Sequence, residues 1–161
     1  MKPTNQSLET ELVKIPKTKA ICPACEAYAT AQQSKSIVVM CCEGGCARGE
    51  IARRAANLLC FKLAPEKTVR LCLGGALTKD TGQRRLARNA GRLIAIEGCL
   101  IQCATRMMQG AIPGLKAEVI LADDHYELEP MPFGMDELSE QAANACAQKV
   151  ASYIANAIKE Q

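Results

Sequence analysis

"SIVVMCCEGGCARGEIARRAANLLCFKL", Ser36 to Leu63, is the stretch whose reading decides the fold. Its first six residues form an apolar, β-branched run closed by Gly44-Gly45, the pattern of a strand buried on both faces. From about Cys46 the apolar residues change to helical spacing, with Ile51, Ala55, Leu58 and Lys62 on one stripe, and Pro65 stops the pattern. A buried strand feeding a helix without a hairpin signal predicts a parallel sheet.

The same alternation continues outward from this unit. Thr68 to Leu73 reads as a second strand ended by Gly74-Gly75, and Asp80 or Thr81 can cap a helix over "TGQRRLARNA" that ends at Gly91. Arg92 to Glu97 is the third strand, and the helix "CLIQCATRMMQ" starts at Cys99 and stops at Gly110. Ala117 to Ala122 is the fourth strand. A loop holding Pro130, Pro132 and Gly134 then leads to a last helix from about Asp136, with Leu138, Ala142, Ala145, Val150, Ile154 and Ala157 as its core stripe. The expected fold is α/β: a Rossmann-like parallel sheet of about four strands with helices on both faces. In such sheets ligands bind at the carboxyl ends of the strands, which is where the cysteines fall.

Residues 36–161 are expected to form a single α/β domain, with residues 1–35 as an N-terminal appendage carrying the "CPAC" pair, Cys22 and Cys25. A chain of 161 residues buries enough surface to need no metal or disulfide merely to hold it together. With two Phe, three Tyr and no Trp it lacks a base-stacking platform, which disfavours a nucleic-acid partner. The first twenty residues hold no apolar leader segment, and no run of about 18 apolar residues occurs, so a cytoplasmic protein with no membrane partner is expected. Ten cysteines in a reducing compartment point to metal or thiol chemistry rather than disulfides.

Charge is unevenly spread. Arg48 to Arg106 carries twelve Lys or Arg against four acids, whereas Ala117 to Gln148 carries eight acids and no Lys or Arg. A cationic field around the cysteines would lower thiol pKa and attract anions. Arg84, Arg85 and Arg88 read as a solvated helix face.

Cys42 and Cys46 are four apart across a Gly-Gly turn, and Cys99 and Cys103 are four apart at an expected helix start, where both sulfurs would lie on one face. Two such pairs at adjacent strand ends provide four thiolates, suited to Zn²⁺ or to an iron–sulfur cluster. Cys72, after the second strand, is a fifth candidate that can replace Cys42 or Cys46. Arg48 and Arg106 are candidates to neutralise the thiolates. Cys60 and Cys146 sit within helical apolar patterns and read as small buried hydrophobes. "CPAC" has the spacing of a zinc knuckle or of a dithiol redox motif, either sharing the metal or forming a separate thiol pair. His125, the only histidine, excludes multi-histidine metal sites and reads as a solvated loop residue. Cys42 to Arg48 also fits C-x5-R, the oxyanion-cradling loop of thiol phosphatases and arsenate reductases, with Asp123 or Asp124 as general acid, although Gly49 stands where a Ser or Thr usually follows the Arg.

The blocks "CCEGGCARGEIARRAANL", "RLCLGGALTKDTGQRRL" and "IAIEGCLIQCATRMM" resemble the zinc-binding proteins of the DGC-domain family, small prokaryotic proteins named for an Asp-Gly-Cys signature, over about Ser36 to Leu121. The resemblance places the family's cysteines at Cys42, Cys72, Cys99 and Cys103, with Cys46 as an additional ligand, and implies zinc. The signature's Asp is Glu97 here, which retains a carboxylate and so a charge role, while its longer side chain weighs against a tight hydrogen-bond role. The leading expectation is a metal-binding protein, zinc-thiolate in kind, serving metal handling or thiol redox. An iron–sulfur or dithiol redox protein is the first alternative, and a C-x5-R enzyme the second. The partners expected are a metal ion and a protein that the sequence does not identify.

Overall fold

A computed structural model describes residues 9–160. It carries four strands, β1 (Ile37–Cys41), β2 (Thr68–Arg70), β3 (Arg92–Glu97) and β4 (Glu118–Leu121), and six helices. The helices are α1 (Pro23–Gln32), α2 (Ala47–Leu58), α3 (Leu73–Thr78), α4 (Gly82–Arg88), α5 (Cys103–Ala111) and α6 (Glu140–Lys159). All strand pairs are parallel, in the order β2-β1-β3-β4. The expected α/β sheet is therefore present, with the direction of strand addition reversing between β1 and β3.

Period-2 alternation divides the core cleanly between the two sheet faces. Ile37, Val39 and Cys41 of β1 and Ile94 and Ile96 of β3 pack under α2 and α6. Val38 and Met40 of β1 and Leu93 and Ala95 of β3 pack with Ala29 of α1, Leu73 and Ala76 of α3, Leu86 and Ala87 of α4, and Ala104 and Met108 of α5. Helix α1 thus adds a fully buried alanine to the second core. No helix among the described residues is long and apolar enough to cross a membrane.

Several element boundaries differ from the sequence reading. Helix α2 ends its α-helical part at Leu58 and continues as a π-helical turn, Leu59–Leu63, so its buried side carries Ala52, Ala56 and Leu59 beside Ile51 and Ala55, and Lys62 is exposed. Strand β2 is shorter than expected, and "LGGALT" forms α3, where paired glycines were read as a boundary. Helix α6 begins after Ser139, whose hydroxyl accepts from the Ala142 amide at 3.2 Å. Its buried face is Ala143, Cys146, Ala147, Val150, Ala151, Ile154, Ala155 and Ile158, which leaves the expected Ala145 exposed.

Candidate functional site

The crevice between the carboxyl ends of β1 and β3 is the point where strand order reverses, the place at which open α/β sheets take ligands. Two loops flank it. The first carries Cys42 to Cys46, and its shape is imposed by backbone packing. A methyl group at Gly49 would lie 2.5 Å from the Gly44 carbonyl oxygen, and one at Gly98 would lie 2.8 Å from the Arg48 carbonyl carbon. No side chain fits at either position, so the first turn of α2 presses directly on the loop and the turn after β3 presses on that first turn. A Cβ at Gly44 would stand 3.2 Å from the Cys42 sulfur and 3.9 Å from that of Cys46, which places both sulfurs around this one glycine.

The Gly44 amide donates to the Cys42 sulfur at 3.4 Å. Burial pushes the Cys42 thiol above its ordinary pKa, while the Gly44 and Gly98 amides pull it down, and negative charge on Glu97 and Cys103 adds to the rise. Cys41, the last residue of β1, is fully buried and raised by the same desolvation, even with Arg70 Nη2 donating to its sulfur at 2.8 Å. The cationic stretch therefore does not make acidic thiols of these two; desolvation wins.

The second loop departs from the sequence reading. Helix α5 starts at Cys103, not Cys99, because the chain turns at Gly98 and Gln102 takes a left-handed conformation with φ 54°. Cys99 and Cys103 are consequently not on one helical face: Cys99 is half-buried on the turn, and Cys103 is exposed at the first helical position. Glu97 explains the arrangement. Its fully buried carboxylate accepts from the Thr105 amide at 2.6 Å, the Thr105 hydroxyl at 2.7 Å and the Ala104 amide at 3.3 Å. The tight hydrogen-bond role that the longer side chain was not expected to keep is thus present, as a cap on α5.

Cys72 is brought elsewhere. It follows β2 at the edge of the sheet, beside Cys25 of the "CPAC" segment, with which it lines one groove. The Cys25 thiol is pushed up to about 11, first by contact with the Cys22 thiol, then by desolvation, with Cys72 adding to the rise. Cys22 lies below the ordinary thiol value, because the Cys25 amide and thiol face it, with a smaller contribution from the Ala24 amide. Gln83, 1% exposed, ties the two segments together by accepting from the Cys72 amide at 2.8 Å and donating to the Cys25 carbonyl at 3.1 Å. No sequence signal marked Gln83, since a glutamine beside two arginines reads as a solvated face.

The remaining candidates divide. Cys60 and Cys146 are buried in the first core, as small hydrophobes. Arg48 Nε points to Asp123 Oδ2 at 3.6 Å, and Arg106 is exposed on α5, where it lines a cavity with Leu12 and Val13. In C-x5-R enzymes the position after Arg holds a hydroxyl, and the Gly44 carbonyl leaves no room for one at residue 49. His125 is half-buried and stacks on Tyr153 with ring centres 4.1 Å apart, in place of the solvated loop position expected of it.

Among the described residues no three Cys, His, Asp or Glu side chains stand close enough together to hold an ion as they are. In donor chemistry the four thiols on the two loops fit a soft cation.

The family model for the DGC domain matches residues 38–150, reaching past Leu121 into α6. Neither the curated proteins nor the solved structures contain a match.

Proposed function

The chain belongs to the DGC-domain family, and on that premise we propose that it is a zinc-binding protein whose ligands are the thiolates of Cys42, Cys46, Cys99 and Cys103, with Cys72, the remaining cysteine of the family pattern, left out of the set because it follows β2 at the sheet edge. The observation that carries this reading is the placement of two C-x3-C pairs on the two loops that flank the β1–β3 crevice, with both sulfurs of the first pair around Gly44. Four thiolates close the tetrahedron of a zinc ion and leave no position for water or substrate, which favours metal handling over hydrolysis. When bound, the ion supplies the positive charge that lets a buried thiol such as Cys42 exist as thiolate.

The protein's own residues prepare that exchange. The amides of Gly44 and Gly98 face the Cys42 sulfur and stabilise its anionic form once the proton leaves. Glu97 fixes the start of α5 and so the position of Cys103. Cys99 sits half-buried on the turn that the Gln102 amide closes by donating to the Cys99 carbonyl at 3.1 Å. In a reducing cytoplasm these thiols stay free for the ion.

The test is metal analysis by mass spectrometry, with a visible absorption spectrum, on full-length protein purified anaerobically without chelators. About one zinc per chain and no visible bands are expected. Cys99→Ser should lose the metal and stability together, because ligand loss removes binding energy coupled to the fold, whereas Cys72→Ser should retain it. Full stoichiometry in Cys99→Ser would overturn the ligand set, and iron with visible bands would move the site to cluster chemistry.

A further inference from the structure

The family's cysteine pattern does not account for Cys22 and Cys25, and the fold has carried Cys72 to them. The chain places Cys25 next to both of the others: it lines one groove with Cys72, to which Gln83 ties it, and Cys22 stands three residues earlier, at the cap of the same helix. Both outer thiols are exposed, whereas Cys25 is half-buried. This juxtaposition is built, not incidental. The buried Gln83 clamps the Cys25 carbonyl to the Cys72 amide, Tyr28 Oη accepts from the Arg70 amide at 3.1 Å, and Glu26 accepts from the Gly82 amide at 2.5 Å. A groove of about 640 Å³ opens beside Cys25 and Cys72, walled by Tyr28, Phe61 and Leu73. That is the size of a small-molecule site.

We propose that Cys22, Cys25 and Cys72 form a dithiol–disulfide exchange site for low-molecular-weight disulfides, separate from the zinc ligands, in which Cys25 is the shared resolving thiol. An outer thiol, Cys22 or Cys72, loses its proton and attacks one sulfur of the disulfide. A mixed disulfide forms, and one small thiolate leaves and takes up the proton. Cys25 then attacks the cysteine sulfur of the mixed disulfide, so that a protein disulfide forms and the second small thiolate leaves with the proton of Cys25. Two protein thiols are oxidised and one disulfide is reduced to two thiols. Because Cys25 stands next to both outer thiols, the product disulfide can pass between Cys22–Cys25 and Cys25–Cys72 without a further oxidant.

The experiment exposes reduced, full-length protein to oxidised glutathione, as purified and after metal has been stripped, with acid quenching, alkylation and peptide mapping over time. Disulfides pairing Cys25 with Cys22 or Cys72 are expected before any other, in both samples. In Cys25→Ser these bonds should be absent, and glutathione mixed disulfides at Cys22 and Cys72 should accumulate by at least about tenfold over the parent. First oxidation at Cys42, Cys46 or Cys103 would overturn the proposal, as would mixed disulfides that resolve equally fast without Cys25. Protection of all three thiols until metal is stripped would also overturn it, by making them ligands. The parent's own disulfide map decides the matter even if a variant fails to fold, and it is independent of whether zinc occupies the β1–β3 crevice.

Discussion

At the residue scale Glu97 sets the geometry of the crevice. A carboxylate removed from water is costly unless its oxygens are met by donors, and Glu97 has three, all at the start of α5. Glu97→Ala leaves two amides and a hydroxyl without their acceptor and is expected to cost about 3 kcal/mol, read as a lower urea midpoint. Glu97→Gln keeps an acceptor of nearly the same length and should cost about half of that. Since Cys103 is the first residue of α5, the alanine variant should also bind zinc more weakly than the glutamine variant. Equal stability of the two variants would mean that the cap depends on shape and not on the acceptor. The same residue shows where sequence reading stops. That Glu97 keeps a carboxylate in the signature was visible; that it reaches forward to Thr105 depended on the turn at Gly98, which the sequence marks only with one glycine.

At the element scale, legibility followed how much of an element's identity is local. Strand β3 runs from Arg92 to Glu97, as its apolar run predicts, and β1 differs by a single residue. Burial on both faces is written directly into such strands. Helix starts near glycines were harder. Cys99 to Gln109 has helical spacing, yet Gln102 turns left-handed and the first four residues never join α5. "CLGGALT" reads as a break, yet the Cys72 sulfur accepts from the Gly75 amide and the segment winds into α3. Helix α1 depends most on distant partners, because its docking relies on the start of α4: Gln83 donates to the Cys25 carbonyl, and Glu26 of α1 accepts from the Gly82 amide. Gln83→Leu leaves the Cys72 amide unpaired, removes the side-chain partner of the Cys25 carbonyl and is expected to destabilise by about 2 kcal/mol. Hydrogen exchange should locate the effect, with faster exchange in α1 and around Cys72 and none in α6. Uniform acceleration across the sheet would show instead that Gln83 supports the whole core.

At the scale of the whole molecule, the uneven charge of the sequence is largely paired away. Arg92 meets Glu118 across β3 and β4, Arg48 faces Asp123, and Arg54 of α2 reaches Glu140 of α6, so the basic stretch closes on the acidic one. The charge asymmetry thus serves the fold more than it serves the recognition of an anion. Arg84, read as solvated, is also used internally, donating to the carbonyls of Ala76 and Leu77. The strongest of these networks joins α2 to α6. Glu50 accepts from Arg53 and Arg54, and Arg54 donates onward to Glu140 and to Asn144. Arg53, then Arg54, holds the Glu50 carboxyl below the usual carboxylate range against the opposing pull of burial. A carboxyl whose folded pKa lies below its unfolded value stabilises fully above the unfolded value, about 4.3 for Glu, and loses that contribution as pH falls through the folded value. Glu50→Gln should therefore be less stable than the parent by about 1 kcal/mol at pH 7, because the side chain is only partly buried and water screens the pairs. The gap should shrink toward zero as pH falls below the ordinary carboxylate range and the parent's own Glu50 takes up its proton. Urea midpoints of the two proteins at neutral pH and along an acid series provide the comparison. A gap that stays constant would show that Glu50 holds α2 against α6 by packing and neutral hydrogen bonds, and that the closing of the basic stretch on the acidic one adds no charge-dependent stability there.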